Sequence, residues 1–194
     1  MTIHKFKLDY DVIKLRAELD ELWPLENYHY HDGYPTPHGS YAHNILTNQM
    51  PSHIKTAIEN SIGRNIKDYY FLWDFRCQTT ELLHHRDVLP TTDDELNTGN
   101  LTDARAEFNE CRTANTVNDT PLSVVVSLEN DFRLDVLDDD TGEWESMEYG
   151  PGDIVYFNNI SSMHGGSVLR DLDTVPRRTL NCYIDAAPFT KDES

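Results

Sequence analysis

Apolar residues recur every three or four positions in two stretches of the first third of the chain, and this spacing predicts two helices. The first spans residues 12–23 and is stopped by Pro24. The second begins after Pro51, and Gly63 suits its C-terminal cap. The segment 28–43 between them is rich in Tyr, His, Gly and Pro, so it is predicted to be a loop.

From Tyr69 onward the pattern changes to short apolar and alternating runs that are typical of strands. The predicted strands are 69–80, 81–87, 122–129, 132–140, 143–150, 153–159 and 177–185. Asp140-Thr141-Gly142 has the composition of a hairpin turn. Closely spaced strands without intervening helices favour an antiparallel sandwich or barrel. We therefore expect a mainly β chain of one domain, 1–194, in which helical residues 1–68 support a jelly-roll core at 69–187.

One polar segment, 88–120, is too long for an ordinary connection within this core, and long loops of this kind are often lids or binding loops. Its acidic residues include Asp93, Asp94, Glu95, Asp103, Glu107 and Glu110, against two basic residues, Arg105 and Arg112. A lid of this composition would suit an amino-acid-like or peptidyl substrate whose amine pairs with a carboxylate. The alternative is a lid that shares the acidity of the whole surface and closes over any small polar substrate.

The overall charge excludes several classes of partner. The 194 residues include 16 Lys and Arg against 34 Asp and Glu, which gives a formal net charge of −18. Such a surface repels nucleic-acid phosphates and anionic lipid headgroups. The three cysteines form no C-x-x-C pair, and no apolar run resembles a signal peptide or a membrane span. We expect a soluble cytoplasmic protein that acts on a small molecule or a peptide; the sequence leaves its oligomeric state open.

Three residues have the side chains of a metal site. His85 and Asp87 stand two positions apart, so on an extended strand they share a face. One H-x-D is expected by chance in this composition, so this pair alone says little. His164 follows an apolar strand and a short loop. Two histidines and one carboxylate leave coordination positions open, as in non-haem Fe(II) oxygenases.

Further along, Arg177-Arg178-Thr179-Leu180 begins the last predicted strand. Arg177 and Thr179 share a face of that strand, and an arginine can fork a carboxylate in a bidentate contact. At these residues the chain resembles the Fe(II)- and 2-oxoglutarate-dependent dioxygenases, whose double-stranded β-helix carries an H-x-D…H triad followed by R-x-S/T. The resemblance covers roughly 69–187.

The resemblance implies a ligand set and a reaction. His85, Asp87 and His164 would hold Fe(II), and Arg177 with Thr179 would bind the C5 carboxylate of 2-oxoglutarate. O2 would take the remaining position on the metal. Oxidative decarboxylation of 2-oxoglutarate to succinate and CO2 would be coupled to hydroxylation of a substrate C–H bond. Because Asp87 keeps a carboxylate where related halogenases have a small residue, hydroxylation or desaturation is expected rather than chlorination.

Within the superfamily the chain looks most similar to the aspartyl/asparaginyl and proline hydroxylase-like branch, through its GD-I-V-Y-F-N-N…H and R-x-T-L elements. The R-x-H-x-P strand of that branch appears here as 122–126 without its arginine. A nucleic-acid demethylase of the superfamily would resemble R-x5-R. Here the residue six positions after Arg177 is Tyr183, and the residue six positions after Arg178 is Ile184. The second arginine of that motif is therefore missing.

Several assignments have competitors. His84 competes with His85 as a ligand, but it is out of phase with Asp87. Arg178 competes with Arg177, although only Arg177 has a hydroxyl residue two positions along. Three further residues are candidates for the substrate or lid side of the site, with solvated or turn positions as the alternative: Arg86, Tyr156 and Asn158.

Two other hypotheses compete with the oxygenase. The fold would also suit a non-catalytic cupin-like ligand-binding module, or a zinc-dependent cupin enzyme such as an isomerase. Neither requires a buried cation near the metal, so Arg177-x-Thr179 discriminates against both. A second metal site is a further alternative for the histidines of the 28–43 segment, for which a surface or pocket-rim loop is preferred: His29, His31, His38 and His43.

Overall fold

The chain folds into two β-sheets with a helical layer on one side. The computed structural model describes residues 3–24, 29–31, 40–46, 50–66, 71–77, 81–85, 122–138, 140–157, 162–169 and 177–184. The helices are α1, Val12–Leu22, and α2, Ser52–Ile62. The strands are β1, His4–Lys7; β2, His29–His31; β3, Ser40–Leu46; β4, Phe71–Cys77; β5, Glu81–His85; β6, Leu122–Glu129; β7, Phe132–Leu137; β8, Trp144–Tyr149; β9, Asp153–Phe157; β10, His164–Val168; and β11, Arg177–Ile184.

Strands β4 to β11 form a double-stranded β-helix. The larger sheet has the order β1-β9-β6-β11-β4-β3-β2, and the smaller has the order β5-β10-β7-β8. All pairings between the described strands are antiparallel. Along the chain the strands cross repeatedly from one sheet to the other, as in a cupin-like jelly roll. The predicted fold class, mainly β with N-terminal helices, is confirmed.

Local sequence signals define both helices as predicted. The Asp11 carboxylate caps α1 by accepting hydrogen bonds from the backbone N–H groups of Ile13 and Lys14, at 2.8 and 3.2 Å. Gly63 ends α2 in the left-handed conformation at φ 68°, which glycine adopts without steric cost. The buried residues of α2 recur every four positions, so its apolar side faces the sheet.

Alternation along the strands of the larger sheet divides the core into two layers. Val124 and Val126 of β6 face the helices, whereas Val125 between them faces the smaller sheet. The outer layer joins the helices to the larger sheet through Leu15, Leu19, Met50, Ile54, Ile58, Ile62, Ile66, Val124, Val126, Leu128, Ile154, Tyr156, Leu180 and Cys182. The inner layer lies between the sheets and contains Ile3, Val125, Phe132, Leu134, Val136, Tyr149, Val155 and Phe157. The candidate site is built on this inner layer.

The 28–43 segment is not the continuous loop that its composition predicts. Residues 29–31 and 40–46 form β2 and β3, and β3 pairs along the whole of β4. The prediction was wrong there because β4 offers an open row of backbone partners, which the composition of the segment does not reveal. The remaining residues of the segment, and the polar segment 88–120, lie outside the described residues.

The hairpin between β7 and β8 has the predicted turn. The Asp138 carboxylate accepts hydrogen bonds from the backbone N–H groups of Asp140 and Thr141, both at 3.0 Å. Gly142 has φ 72°, the left-handed region that the turn requires. No helix in the described part of the chain is long and apolar enough to cross a membrane.

Candidate active site

His164 begins β10 at the centre of the smaller sheet. On one side its backbone pairs with His85, the last residue of β5. On the other side it pairs with Val136 of β7. Directly opposed residues of an antiparallel pair share a face of the sheet, with Cβ atoms about 4.5–5.5 Å apart. The register therefore brings the two histidine positions predicted as ligands next to each other, although they are far apart in sequence.

The imidazole of His164 is buried and held in place. Its Nδ1 atom lies 3.1 Å from the carbonyl oxygen of Ser162, and its ring meets the Phe157 ring edge-on, with 4.8 Å between centroids. An Nδ1–H that donates to a backbone carbonyl leaves the lone pair on Nε2. Metal-binding histidines are commonly oriented in this way.

His84, the competitor of His85, lies on the outer surface. Its side chain is exposed and stacks on the exposed indole of Trp144, with ring centroids 4.5 Å apart and an angle of 28° between the planes. This side chain does not face the inner layer with His164.

Arg177 supplies a buried cation between the sheets. Its Nη2 donates a hydrogen bond to the Tyr149 hydroxyl at 2.9 Å, and its guanidinium carbon lies 4.1 Å from the centroid of the Phe132 ring. Its Nε is buried without a hydrogen-bond partner, and no carboxylate among the described residues pairs with it. Burying a cation without a counter-ion costs free energy. We therefore expect the Arg177 guanidinium to bind an anion.

Arg178 faces the other way. Its guanidinium is buried in the outer layer, and its Nη1 forms an ion pair with Asp20 of α1 at 3.2 Å. The alternation of β11 thus directs Arg177 inward and Arg178 toward the helix. Of the two arginines, only Arg177 is available to a ligand between the sheets.

Two more polar residues of β11 follow Arg177 at the inward positions. Thr179 is buried, and its Oγ1 has no hydrogen-bond partner among the described residues. Asn181 lies opposite the inward-facing Val125, and its Oδ1 is likewise buried without a partner in the described part of the chain. Unsatisfied buried polar atoms are uncommon in folded proteins. Three successive inward residues of one strand therefore carry unmet hydrogen-bonding groups.

The sequence-based predictions did not include two of these residues. Tyr149 precedes a Gly-Pro-Gly turn and contacts Arg177, which is 28 positions away in the sequence. No local pattern indicates such a contact. Asn181 is different, because strand alternation from Arg177 and Thr179 already indicates its inward position. The same spacing of two that pairs Arg177 with Thr179 is therefore the signal that identifies Asn181.

Of the other predicted site residues, the structure describes only Tyr156. Tyr156 belongs to the outer layer, where its ring lies 5.5 Å from that of His4, and burial raises its pKa to about 12. It does not line the space between His164 and Arg177. Asp87, Arg86 and Asn158 lie outside the described residues.

The two ends of the site are separated along the strands. His164 pairs with Val136 at one end of β10, and Val168 pairs with Phe132 at the other, four residues away. At about 3.3 Å per residue the backbones of these rows are about 13 Å apart. Arg177 contacts Phe132, so its guanidinium reaches into the space from the far end. The imidazole of His164 and the guanidinium of Arg177 thus extend into the same layer from its two ends.

Among the described residues, His164 can ligate a metal and Arg177 can bind an anion. Imidazole and carboxylate are suitable ligands for Fe(II), and the orphaned Arg177 Nε and Thr179 Oγ1 can both donate to a carboxylate. Among the described side chains no three His, Cys, Asp or Glu residues gather as a ligand set. The side chains of His85 and Asp87 are not among those described, so the complete triad stays a prediction.

Comparison with known proteins is informative at the level of structure. No family model and no curated sequence matches the chain. A prolyl-4-hydroxylase from Pseudomonas putida is similar, with a TM-score of 0.52, 13% identity, and coverage of 95% of this chain and 92% of the hydroxylase.

Two proteins of nogalamycin biosynthesis are also similar. The non-haem α-ketoglutarate-dependent carbocyclase SnoK has a TM-score of 0.59 at 12% identity, over 98% of this chain and 84% of its own. The corresponding epimerase SnoN has a TM-score of 0.56 at 13% identity, over 96% and 81%. The chain therefore shares the double-stranded β-helix fold of these three solved structures.

Proposed function

We propose that this protein is a non-haem Fe(II)- and 2-oxoglutarate-dependent dioxygenase that hydroxylates a C–H bond of a small, amino-acid-like or peptidyl substrate. The observation that carries the proposal is the buried Arg177 guanidinium, which has no carboxylate partner among the described residues. It stands on the inner face of the β-helix, on the strand where the R-x-T resemblance predicts an anion site. A cupin-like binding module or a zinc-dependent isomerase does not require this cation.

Three residues form the proposed anchor for the C5 carboxylate of 2-oxoglutarate. Arg177 contributes the charge and the forked donors. Thr179 contributes a hydroxyl whose oxygen is buried and has no partner among the described residues. Tyr149 accepts a hydrogen bond from Arg177 through its hydroxyl oxygen, so its own proton is left to donate elsewhere. The Phe132 ring covers one face of the guanidinium and keeps water from it.

His85, Asp87 and His164 are the proposed iron ligands. The opposed positions of His85 and His164 support the pair, and the Ser162 carbonyl orients the His164 ring. When bound, iron supplies the redox chemistry that couples decarboxylation of 2-oxoglutarate to oxidation of the substrate. One oxygen atom of O2 enters succinate and the other enters the substrate C–H bond, with loss of CO2. The protein supplies ligation, orientation of the co-substrate and a site shielded from water.

The substrate proposal rests on charge and sequence. The acidic segment 88–120 follows Asp87 directly, so we propose that it borders the mouth of the site and favours a substrate with an amine. The net charge of −18 argues against nucleic acid and anionic membranes as partners. We also propose a cytoplasmic location, in keeping with three widely spaced cysteines and a buried, free Cys182.

The deciding experiment is an anaerobic titration of the purified protein with Fe(II) and 2-oxoglutarate. The proposal predicts a weak visible metal-to-ligand band that saturates with one co-substrate per chain, and succinate release once O2 is admitted. The same titration with succinate in place of 2-oxoglutarate is the control, because succinate lacks the keto acid that chelates the metal. A folded protein that shows neither the band nor succinate release would refute the oxygenase and favour the ligand-binding module.

A further inference from the structure

The inward row of β11 contains one more polar residue than the co-substrate anchor uses. Arg177 and Thr179 are assigned to the carboxylate of 2-oxoglutarate, and Asn181 follows them two residues later on the same face. Leu180 before Asn181 and Cys182 after it both face the helices, which confirms the alternation. Asn181 therefore points into the layer between the sheets without a role in the proposed anchor.

Along β11, Asn181 lies nearer to the proposed metal ligands than Arg177 does. The backbone register aligns Asn181 with Val125 of β6 and Val155 of β9. The next inward row contains Phe157, whose ring contacts His164. One step of the strand alternation, about 7 Å, separates Asn181 from that row, and about 13 Å separates it from Arg177. The residue thus stands between the anchor and the metal ligands.

The atom of Asn181 that has no hydrogen-bond partner among the described residues is an acceptor. Its Oδ1 is buried and has no hydrogen-bond partner among the described residues. At neutral pH 2-oxoglutarate is fully ionised and carries acceptor oxygens only, so it can satisfy the donors of Arg177 and Thr179 but not a carbonyl oxygen. No described residue supplies the donor that Oδ1 lacks, so a donor of another molecule in the site can pair with it.

We propose that Asn181 is a substrate-contacting residue that accepts a hydrogen bond from an N–H group of the substrate, an amine or an amide. The proposal rests on the proposed function, because it assumes that 2-oxoglutarate occupies the anchor formed by Arg177, Thr179 and Tyr149. It extends that function by assigning the recognition of the substrate nitrogen to a residue of the barrel itself. An ammonium donor also suits the strongly acidic chain.

Two variants separate the acceptor of Asn181 from its donors. Asn181→Leu removes both at similar volume, and Asn181→Asp keeps an acceptor but removes the amide N–H. Asn60→Leu, at an exposed position of α2, is the matched control. The probes are the L-amino acids, their N-acetyl amides and the corresponding amine-free carboxylic acids. Succinate release reports turnover, and calorimetric titration of the Mn(II)-loaded protein with 2-oxoglutarate present reports binding without turnover. Melting curves check the fold.

In the wild-type protein, N–H-bearing probes should bind and stimulate succinate release, and amine-free acids should not. Asn181→Leu should weaken probe binding about tenfold, the loss of one hydrogen bond to a charged donor, with the dissociation constant of 2-oxoglutarate unchanged. Asn181→Asp should retain probe binding, and Asn60→Leu should match the wild type.

Four outcomes would overturn the inference. Weaker 2-oxoglutarate binding in both Asn181 variants would mean that the amide donates to the co-substrate. Unchanged probe binding in Asn181→Leu would mean that water alone satisfies Oδ1. Amine-free acids that bind as well as their N–H-bearing counterparts, or a failure of every N–H-bearing probe, would remove the assigned substrate class. A wild-type protein that does not bind 2-oxoglutarate with Fe(II) or Mn(II) would instead refute the proposed function itself.

Discussion

Arg177 and Arg178 are consecutive residues of β11, yet their guanidinium groups lie on opposite faces of the larger sheet. Arg177 contacts Tyr149 and Phe132 between the two sheets, whereas Arg178 forms an ion pair with Asp20 of α1 on the helical side. Both are buried. Because the two have the same chemistry and differ in the face they occupy, each is a control for the other.

Replacing Arg177 with Ala should raise the dissociation constant of 2-oxoglutarate about 10- to 100-fold, since charge-assisted hydrogen bonds to the carboxylate are lost. Arg178→Ala should leave this constant almost unchanged and lower the free energy of unfolding by about 1–2 kcal/mol, because its ion pair joins α1 to the sheet. Anaerobic titration and urea unfolding measure the two effects. The reverse ranking would show that the anchor lies on the other face.

Tyr149→Phe removes the hydroxyl that accepts from Arg177 at 2.9 Å and keeps the ring that packs against Phe132. We expect 2-oxoglutarate to bind about 3- to 10-fold more weakly, the effect of one neutral hydrogen bond. Tyr10→Phe is the matched control, because its hydroxyl donates to Glu18 in the helical layer. Equal affinities in both variants and the wild type would exclude Tyr149 from the anchor.

His164→Ala should weaken Fe(II) binding by more than about 100-fold, beyond the loss typical of residues that merely support a ligand. His84→Ala removes an exposed imidazole that stacks on Trp144 and should leave metal binding intact. Metal content after anaerobic loading and gel filtration distinguishes the two. A loss of iron in His84→Ala alone would contradict the proposed ligand set.

The carboxylate of Asp87 is expected to occupy the position that chloride requires in related halogenases. Turnover in chloride buffer should therefore yield a product heavier than the substrate by one oxygen atom or, after desaturation, a product lighter by two hydrogen atoms. Mass spectrometry of the product decides this point. A dominant chlorinated species would mean that Asp87 is not an iron ligand.

His4 should make the stability depend on pH. Burial is the main cause that lowers the pKa of His4 in the folded state below its ordinary value of 6.5. The unfolded chain then takes up the proton first as the pH falls. His4 therefore has no effect above about pH 6.5 and destabilises the fold progressively below it, down through the lowered pKa. Urea unfolding at about pH 7.5 and about pH 5 measures the free energy of unfolding. Its decrease between the two pH values should be smaller in His4→Gln than in the wild type. Equal losses would assign the dependence to other groups.

The sequence by itself determined the features that depend on short-range periodicity. The three- and four-residue spacing predicted α1 and α2, and alternation along β11 predicted that Arg177 and Thr179 share a face. Those patterns need only the geometry of one helix or one strand, because the residues that define them are neighbours in the chain. The closely spaced strand signals after Tyr69 likewise indicated a mainly β core.

Only the tertiary structure decided which distant residues meet. The pairing of β3 with β4 turned part of a predicted loop into sheet, and the outer-layer position of Tyr156 removed it from the site. The bond between Arg177 and Tyr149, and the unmet Oδ1 of Asn181, depend on the register of several strands at once. No local pattern carries that information, because whether a buried polar atom finds a partner depends on the packing of two sheets built from residues far apart in the chain.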